Sequence, residues 1–254
     1  MELKNKSIII TGASSGIGAA AAVLFAAEGA NVVLGARRAA ELEALADEIN
    51  RGGGEGRAVL LAGDVREEGY AAALVDMAVT TFGGLDGAFN NAGIVGEMQP
   101  VGEMTLANWS DVIAINLTSA FLAAKAQIPV MKKQGRGSIV FTSSFVGFGN
   151  GGLPGMSAYA ASKAGLIGFT QSLASDHGPD GVRINALLPG GTITRVAGDA
   201  KPEFLEFVGN LHPMKRMAEA REIAQAALFL LSDRASFVTG SPMLADGGMS
   251  VRLV

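Results

Sequence analysis

The 254-residue sequence contains no cysteine. That absence excludes a disulfide scaffold, cysteine-ligated zinc, iron–sulfur clusters and thiol catalysis. Histidine is almost as scarce. His177 and His212 are the only two, too few for a histidine-rich site, and no metal is expected. Charged residues make up 17% and the formal net charge is -4. A nucleic-acid partner, which needs a basic surplus, is therefore not expected. Long apolar runs are missing too. Nothing approaches the roughly 18 continuous apolar residues of a membrane span. The opening MELKNKSIII runs into a turn at Gly12 and lacks the features of a secretory signal. The expectation is a cytoplasmic protein without a membrane partner. Glycine, by contrast, is abundant: its 35 residues are about twice the ordinary usage of roughly 7%, and they show no collagen-like period.

Short β-branched runs alternate with longer helical patterns. Strands are predicted at Ser7–Thr11, Asn31–Gly35, Arg57–Ala62, Leu85–Asn90, Ser138–Ser143, Val182–Leu187 and Pro242–Ala245. Between them lie helical stretches at Gly16–Glu28, Ala39–Asn50, Glu67–Phe82, Leu106–Met131, Ser157–His177 and Ala220–Leu231. Leu106–Met131 can hold one helix or two, because Pro129 can kink or break it. Such alternation predicts an α/β protein, with a doubly wound parallel sheet of about seven strands between two helix layers. One domain over residues 1–254 is the simplest organisation. Residues 191–216 interrupt the alternation with an amphipathic flap, read as a substrate lid on a loop.

The first strand runs into Thr11-Gly12-Ala13-Ser14-Ser15-Gly16-Ile17-Gly18. Glycines there permit a tight turn, and the following helix N-terminus offers N–H groups to a pyrophosphate. No lysine follows as in a P-loop, which argues against an ATPase. At the end of the second strand, where an acid selects NAD, stand Arg37 and Arg38. Guanidinium forks match a 2′-phosphate. NADP(H) is preferred, with NAD(H) as the alternative. Tyr159 and Lys163 are spaced i,i+4 on one helix face. A neighbouring ammonium favours the phenolate, so Lys163 is expected to lower the Tyr159 pKa.

At this point the sequence resembles the short-chain dehydrogenase/reductase family over nearly its whole length. The resemblance rests on TGASSGIG (Thr11–Gly18), GDV (Gly63–Val65), NNAG (Asn90–Gly93), Asn116, Ser143-Ser144, YAASK (Tyr159–Lys163), PGGTIT (Pro189–Thr194) and DGG (Asp246–Gly248), all in family order. It implies a three-layer Rossmann fold and transfer of hydride between the nicotinamide and a ketone, aldehyde or alcohol. Tyr159 would be the acid/base and Ser144 would hydrogen-bond the substrate carbonyl. Lys163 would bind the nicotinamide ribose, and Asn116 would hold a water leading to it. The cofactor set would be Gly12, Ser14, Ser15, Gly16, Ile17, Gly18, Arg37, Arg38, Asp64, Val65, Asn90, Ala92, Gly93, Tyr159, Lys163, Pro189, Gly190, Thr192 and Thr194. A homotetramer or homodimer acting on a small carbonyl or alcohol substrate is the family expectation.

The substrate is left open. Phe148, Leu153, Met156, Phe204, Phe207, Leu211 and Met214 suggest a partly apolar pocket. Arg195, Lys201, Lys215 and Arg216 would suit a keto-sugar or uronate-derived aldehyde. Lys132, Lys133 and Arg136 could supply half of a docking patch for a 3-oxoacyl-acyl-carrier-protein reductase, although Asp180 argues against it. His212 is a substrate-contact candidate. From another class, a non-catalytic dinucleotide sensor would not need the Asn116–Ser144–Tyr159–Lys163 set.

Overall fold

The computed structural model describes residues 1–149, 152–194 and 201–251. Its strands are β1 (Ser7–Thr11), β2 (Asn31–Ala36), β3 (Ala58–Ala62), β4 (Gly87–Asn90), β5 (Gly137–Thr142), β6 (Val182–Pro189), β7 (Thr192–Ile193), β8 (Ala218–Glu219) and β9 (Pro242–Ala245). Its helices are α1 (Gly16–Ala27), α2 (Ala39–Arg51), α3 (Glu68–Phe82), α4 (Leu106–Ile113), α5 (Ser119–Gln134), α6 (Ser157–His177), α7 (Pro202–Leu211) and α8 (Ala220–Leu231). The main sheet has seven strands in the order β3-β2-β1-β4-β5-β6-β9, and every pairing is parallel.

The strands are mostly apolar because both sheet faces are covered. Side-chain alternation divides the core in two. Ile8, Ile10, Val32, Leu34 and Val140 pack with residues of α1, α2 and α8. Ile9, Val33, Ile139, Phe141 and Ile184 pack with residues of α3, α5 and α6. β1 has β2 on one side and β4 on the other. Strand order therefore reverses at β1/β4, and a crevice opens beyond their C-terminal ends.

Two stretches show more than the sequence pattern specified. The Leu106–Met131 stretch continues to Gln134, and Pro129 lies inside α5 without ending it. A π-helical turn, Ala114–Thr118, joins α4 to α5 in one continuous helix, Leu106–Gln134. By length and composition Leu106–Gln134 could cross a membrane, but Ala120, Ala124, Ile128 and Met131 belong to the core beneath the sheet. The flap is also more regular than a loop. It carries helix α7, and β7 pairs with β8 through Thr192↔Ala218 and Ile193↔Glu219. Arg195, named above for the lid, lies outside the described residues.

Candidate active site

The turn after β1 is built for close approach. Gly12 and Gly16 adopt φ of +69° and +58°, a region that favours glycine. A Cβ on Gly18 would lie 2.3 Å from the Gly12 carbonyl oxygen. Helix α1 then starts without a side-chain cap at Ser15 and without an acid in its first turn. Its leading N–H groups and positive dipole end face the crevice unopposed, an arrangement that fits a pyrophosphate. Thr11 Oγ1 accepts from the N–H groups of Asn91 (3.0 Å) and Ala92 (3.2 Å). Those bonds tie the turn to the loop after β4.

A cleft of about 440 Å³ follows the turn, the end of β2, Gly63–Val65 and Asn91–Ile94. Gly12, Ser14, Ser15, Gly16, Ile17, Arg37, Arg38, Asp64, Val65, Ala92, Gly93 and Thr194 all line it. Asn90 does not. It is buried in a reciprocal amide pair with Gln127, 3.0 Å in both directions. Asn91, Ile94 and Ile115 line the cleft as well, and of these only Asn91 belongs to a recognisable motif, NNAG. Pro189 ends β6, and Gly190 lines a second pocket of about 180 Å³ together with His212 and Asp246. Thr192 Oγ1 donates to the Gly190 carbonyl oxygen at 3.0 Å.

Arg38 is held in place by the turn itself. Its guanidinium donates to Ser14 Oγ (2.9 and 3.2 Å) and Ser15 Oγ (2.8 Å), and it faces Glu41 at 3.5 Å. Arg37 is exposed on the cleft wall. Asp64 is gripped by Arg66 at 2.7 Å, and that guanidinium holds its carboxyl below the usual range. Arg66 also reaches Asp111 of α4 at 3.2 Å.

Tyr159 and Lys163 sit on the first turns of α6. Tyr159 is half-buried, and its phenol shares a hydrogen bond with the Ser144 hydroxyl. Lys163 is almost fully buried, and its Nζ donates to the Thr142 carbonyl oxygen at 2.7 Å. Ser143 Oγ donates to the Lys163 carbonyl oxygen at 2.7 Å, pinning α6 to the end of β5. Asn116 lies in the π-helical turn. Its Oδ1 accepts from Ile94 N, and its Nδ2 donates to Ile94 O and to Ser162 Oγ. This clamp joins the β4 loop to α6. A Cβ on Gly93 would stand 3.2 Å from Asn116 Oδ1 and 3.3 Å from Lys163 Nζ, so the clamp and the lysine meet at the cleft end.

The electrostatics differ from the sequence expectation. Burial raises the Tyr159 pKa, and the Ser144 hydrogen bond only partly opposes this. Lys163 stands 5.5 Å from the ring centroid, bonded to a carbonyl. Burial pushes its own pKa down to about 8. His212 is also corrected. It is buried and hydrogen-bonded at both ring nitrogens, which leaves neither free for a polar contact with substrate.

Comparisons with known proteins agree with this geometry. The family described as enoyl-(acyl carrier protein) reductase matches residues 12–250. A 2,5-dichloro-2,5-cyclohexadiene-1,4-diol dehydrogenase of Sphingobium indicum is 40% identical over 253 residues, 98% of each chain. A cyclohexanol dehydrogenase of Acinetobacter sp. is 40% identical over 246 residues, 97% of this chain and 95% of that one. The crystal structure of levodione reductase superposes with a TM-score of 0.93 at 35% identity, over 99% of this chain and 100% of the other. Likeness of this extent, from the phosphate turn to the last strand, places the chain in the short-chain dehydrogenase/reductase family of nicotinamide-dependent oxidoreductases that act on alcohols and ketones.

Proposed function

We propose that this chain uses NADP(H) to interconvert a cyclic secondary alcohol and its ketone, with Tyr159 as acid/base. The observation that carries the reading is the meeting of Ser144, Tyr159 and Lys163 beside Gly93, which lines the same cleft as Arg37 and Arg38. The bound dinucleotide supplies the hydride chemistry. The protein's own groups handle the oxygen. Ser144 polarises the carbonyl, and the Tyr159 phenol gives up its proton as the carbonyl carbon is reduced; oxidation runs the same path backwards. Lys163 binds the nicotinamide ribose.

A cyclic substrate is supported by exposed apolar side chains on the segments beyond the strand C-terminal ends. Met98, Phe148, Ile193, Phe204, Phe207 and Met214 follow β4, β5 and β6 or belong to the lid. Two of the relatives are named for six-membered-ring alcohols. An acyl-carrier substrate is less well supported. Lys132 is paired with Asp180 at 3.0 Å and Arg136 with Asp86 at 3.1 Å. An anionic sugar has little more support, since Glu222 grips Arg216 through both oxygens at 2.7 Å. A panel of cyclohexanol, cyclohexanone, keto-sugars and 3-oxoacyl thioesters, followed by nicotinamide absorbance, is expected to favour the cyclic pair. Turnover of the thioester alone would reject the cyclic reading.

The cofactor preference has its own test. Arg37→Ala is expected to weaken NADPH binding about tenfold or more, the worth of a charge-assisted hydrogen bond. NADH binding should change by less than about twofold, since it lacks the phosphate that the guanidinium recognises. Equal losses in titrations of the two cofactors would refute the phosphate role.

A further inference from the structure

His212 ends the lid helix with 1% of its surface exposed. Its Nδ1 lies 2.9 Å from the Val208 carbonyl oxygen, and its Nε2 lies 3.0 Å from Gly191 N. A carbonyl only accepts and a backbone N–H only donates. The ring is thereby fixed as the neutral tautomer that donates from Nδ1 and accepts at Nε2.

The surrounding backbone is shaped to seat this ring. A Cβ on Gly190 would fall 2.9 Å from Nε2 and 2.8 Å from Asp246 Cα. A Cβ on Gly191 would fall 2.8 Å from the ring's Cε1 and from Val208 Cγ1. The residues that follow are held too. Met214 N donates to the Gly247 carbonyl oxygen at 3.3 Å, and Lys215 takes a φ of 58°. One imidazole therefore joins the C-terminal end of α7 to the turn after β6, beside the turn after β9.

We propose that His212 is a positioning residue. Its Nε2 fixes the Gly190–Gly191 turn in the shape that receives the nicotinamide end of the dinucleotide, and its Nδ1 makes α7 follow that turn. The proposal rests on the reading of this cleft as an NADP(H) site. An apolar side chain of similar size would fill the same space but leave the Gly191 N–H without a partner, which is costly when buried.

The test compares His212→Asn with His212→Gln by titration with NADPH and with adenosine 2′,5′-bisphosphate, which reaches only the arginine end of the cleft. Asparagine can still face Val208 but is too short to reach Gly191. Glutamine carries an acceptor at about the reach of Nε2. His212→Asn is expected to weaken NADPH about tenfold, the value of one lost backbone hydrogen bond, and to leave the bisphosphate within about twofold. His212→Gln should restore NADPH binding to within about threefold of wild type. Gly191→Ala, which pushes the same ring from the other side, should show the same selective loss and serves if the asparagine variant does not fold. Unchanged NADPH binding, equal weakening of both ligands, or no rescue by glutamine would overturn the role of His212 alone. Wild-type protein that binds neither NADPH nor NADH would overturn the cofactor reading, and the proposal with it.

Discussion

Tyr159→Phe is expected to lower turnover by roughly 10²–10⁴-fold, the usual contribution of a positioned general acid or base. NADPH affinity should stay within about twofold, because the substitution removes only the hydroxyl and its bond with Ser144. The ring stays in its place over Lys163. Reduction needs the phenol protonated, and burial, which raises its pKa, keeps it so at neutral pH. Oxidation needs the phenolate, so its rate should climb with pH while reduction stays flat. Steady-state rates in both directions across the alkaline range check this. A phenylalanine variant within about threefold of wild type would remove Tyr159 from the chemistry, since a general acid contributes far more.

Lys163→Met is expected to abolish most activity and yet stabilise the cofactor-free protein. Burial moves the lysine from an ordinary 10.5 to about 8. Keeping the ammonium charged inside the fold therefore costs about 3 kcal/mol relative to a solvated lysine. Leaving the Thr142 carbonyl oxygen without its donor returns roughly 1–2 kcal/mol of that as a loss. The net gain is on the order of 1–2 kcal/mol, or a few degrees in melting temperature for a chain of this size. The sign with pH is fixed. Between about 8 and 10.5 the unfolded chain still holds a proton that the folded chain has released, so stability rises with pH in that window. Below it the cost is constant. At higher pH the tyrosines oppose the trend, Tyr70 being pushed up to about 12. Thermal melts of wild type should rise through the window and those of the methionine variant should not. A less stable variant with the same slope would mean that the ammonium is not strained by its burial.

Much of this was legible because it is local or periodic. The i,i+4 spacing of Tyr159 and Lys163, the glycine turn and the apolar strands each declare themselves within a few residues. What was missed depends on long-range burial. Sequence adjacency suggested that Lys163 would lower the Tyr159 pKa. In the fold both groups are desolvated and Lys163 is bonded to Thr142, 21 residues away. Helix α7 lies in the stretch read as an amphipathic flap on a loop, where Pro202, Gly209 and Pro213 punctuate the helical spacing of Phe204, Phe207, Val208 and Leu211. Strands β7 and β8 are two residues each, too short to show a period. The tautomer of His212 depends on Gly191, again 21 residues back, with nothing between them to signal the bond.

The small β7–β8 pairing has a consequence for how this chain can change. It fastens Ile193 to Glu219, so the segment between them leaves and rejoins the body at one hydrogen-bonded gate. The entropy of closing a loop grows slowly with its length, about 0.6 kcal/mol for each doubling. A change in the segment's length alone therefore carries a small entropic cost, while Tyr159, Lys163 and Asn116 stay on elements outside it. Exchanges of this segment should be tolerated where they keep a group able to accept from Gly191 and fill the space of Val208 and His212.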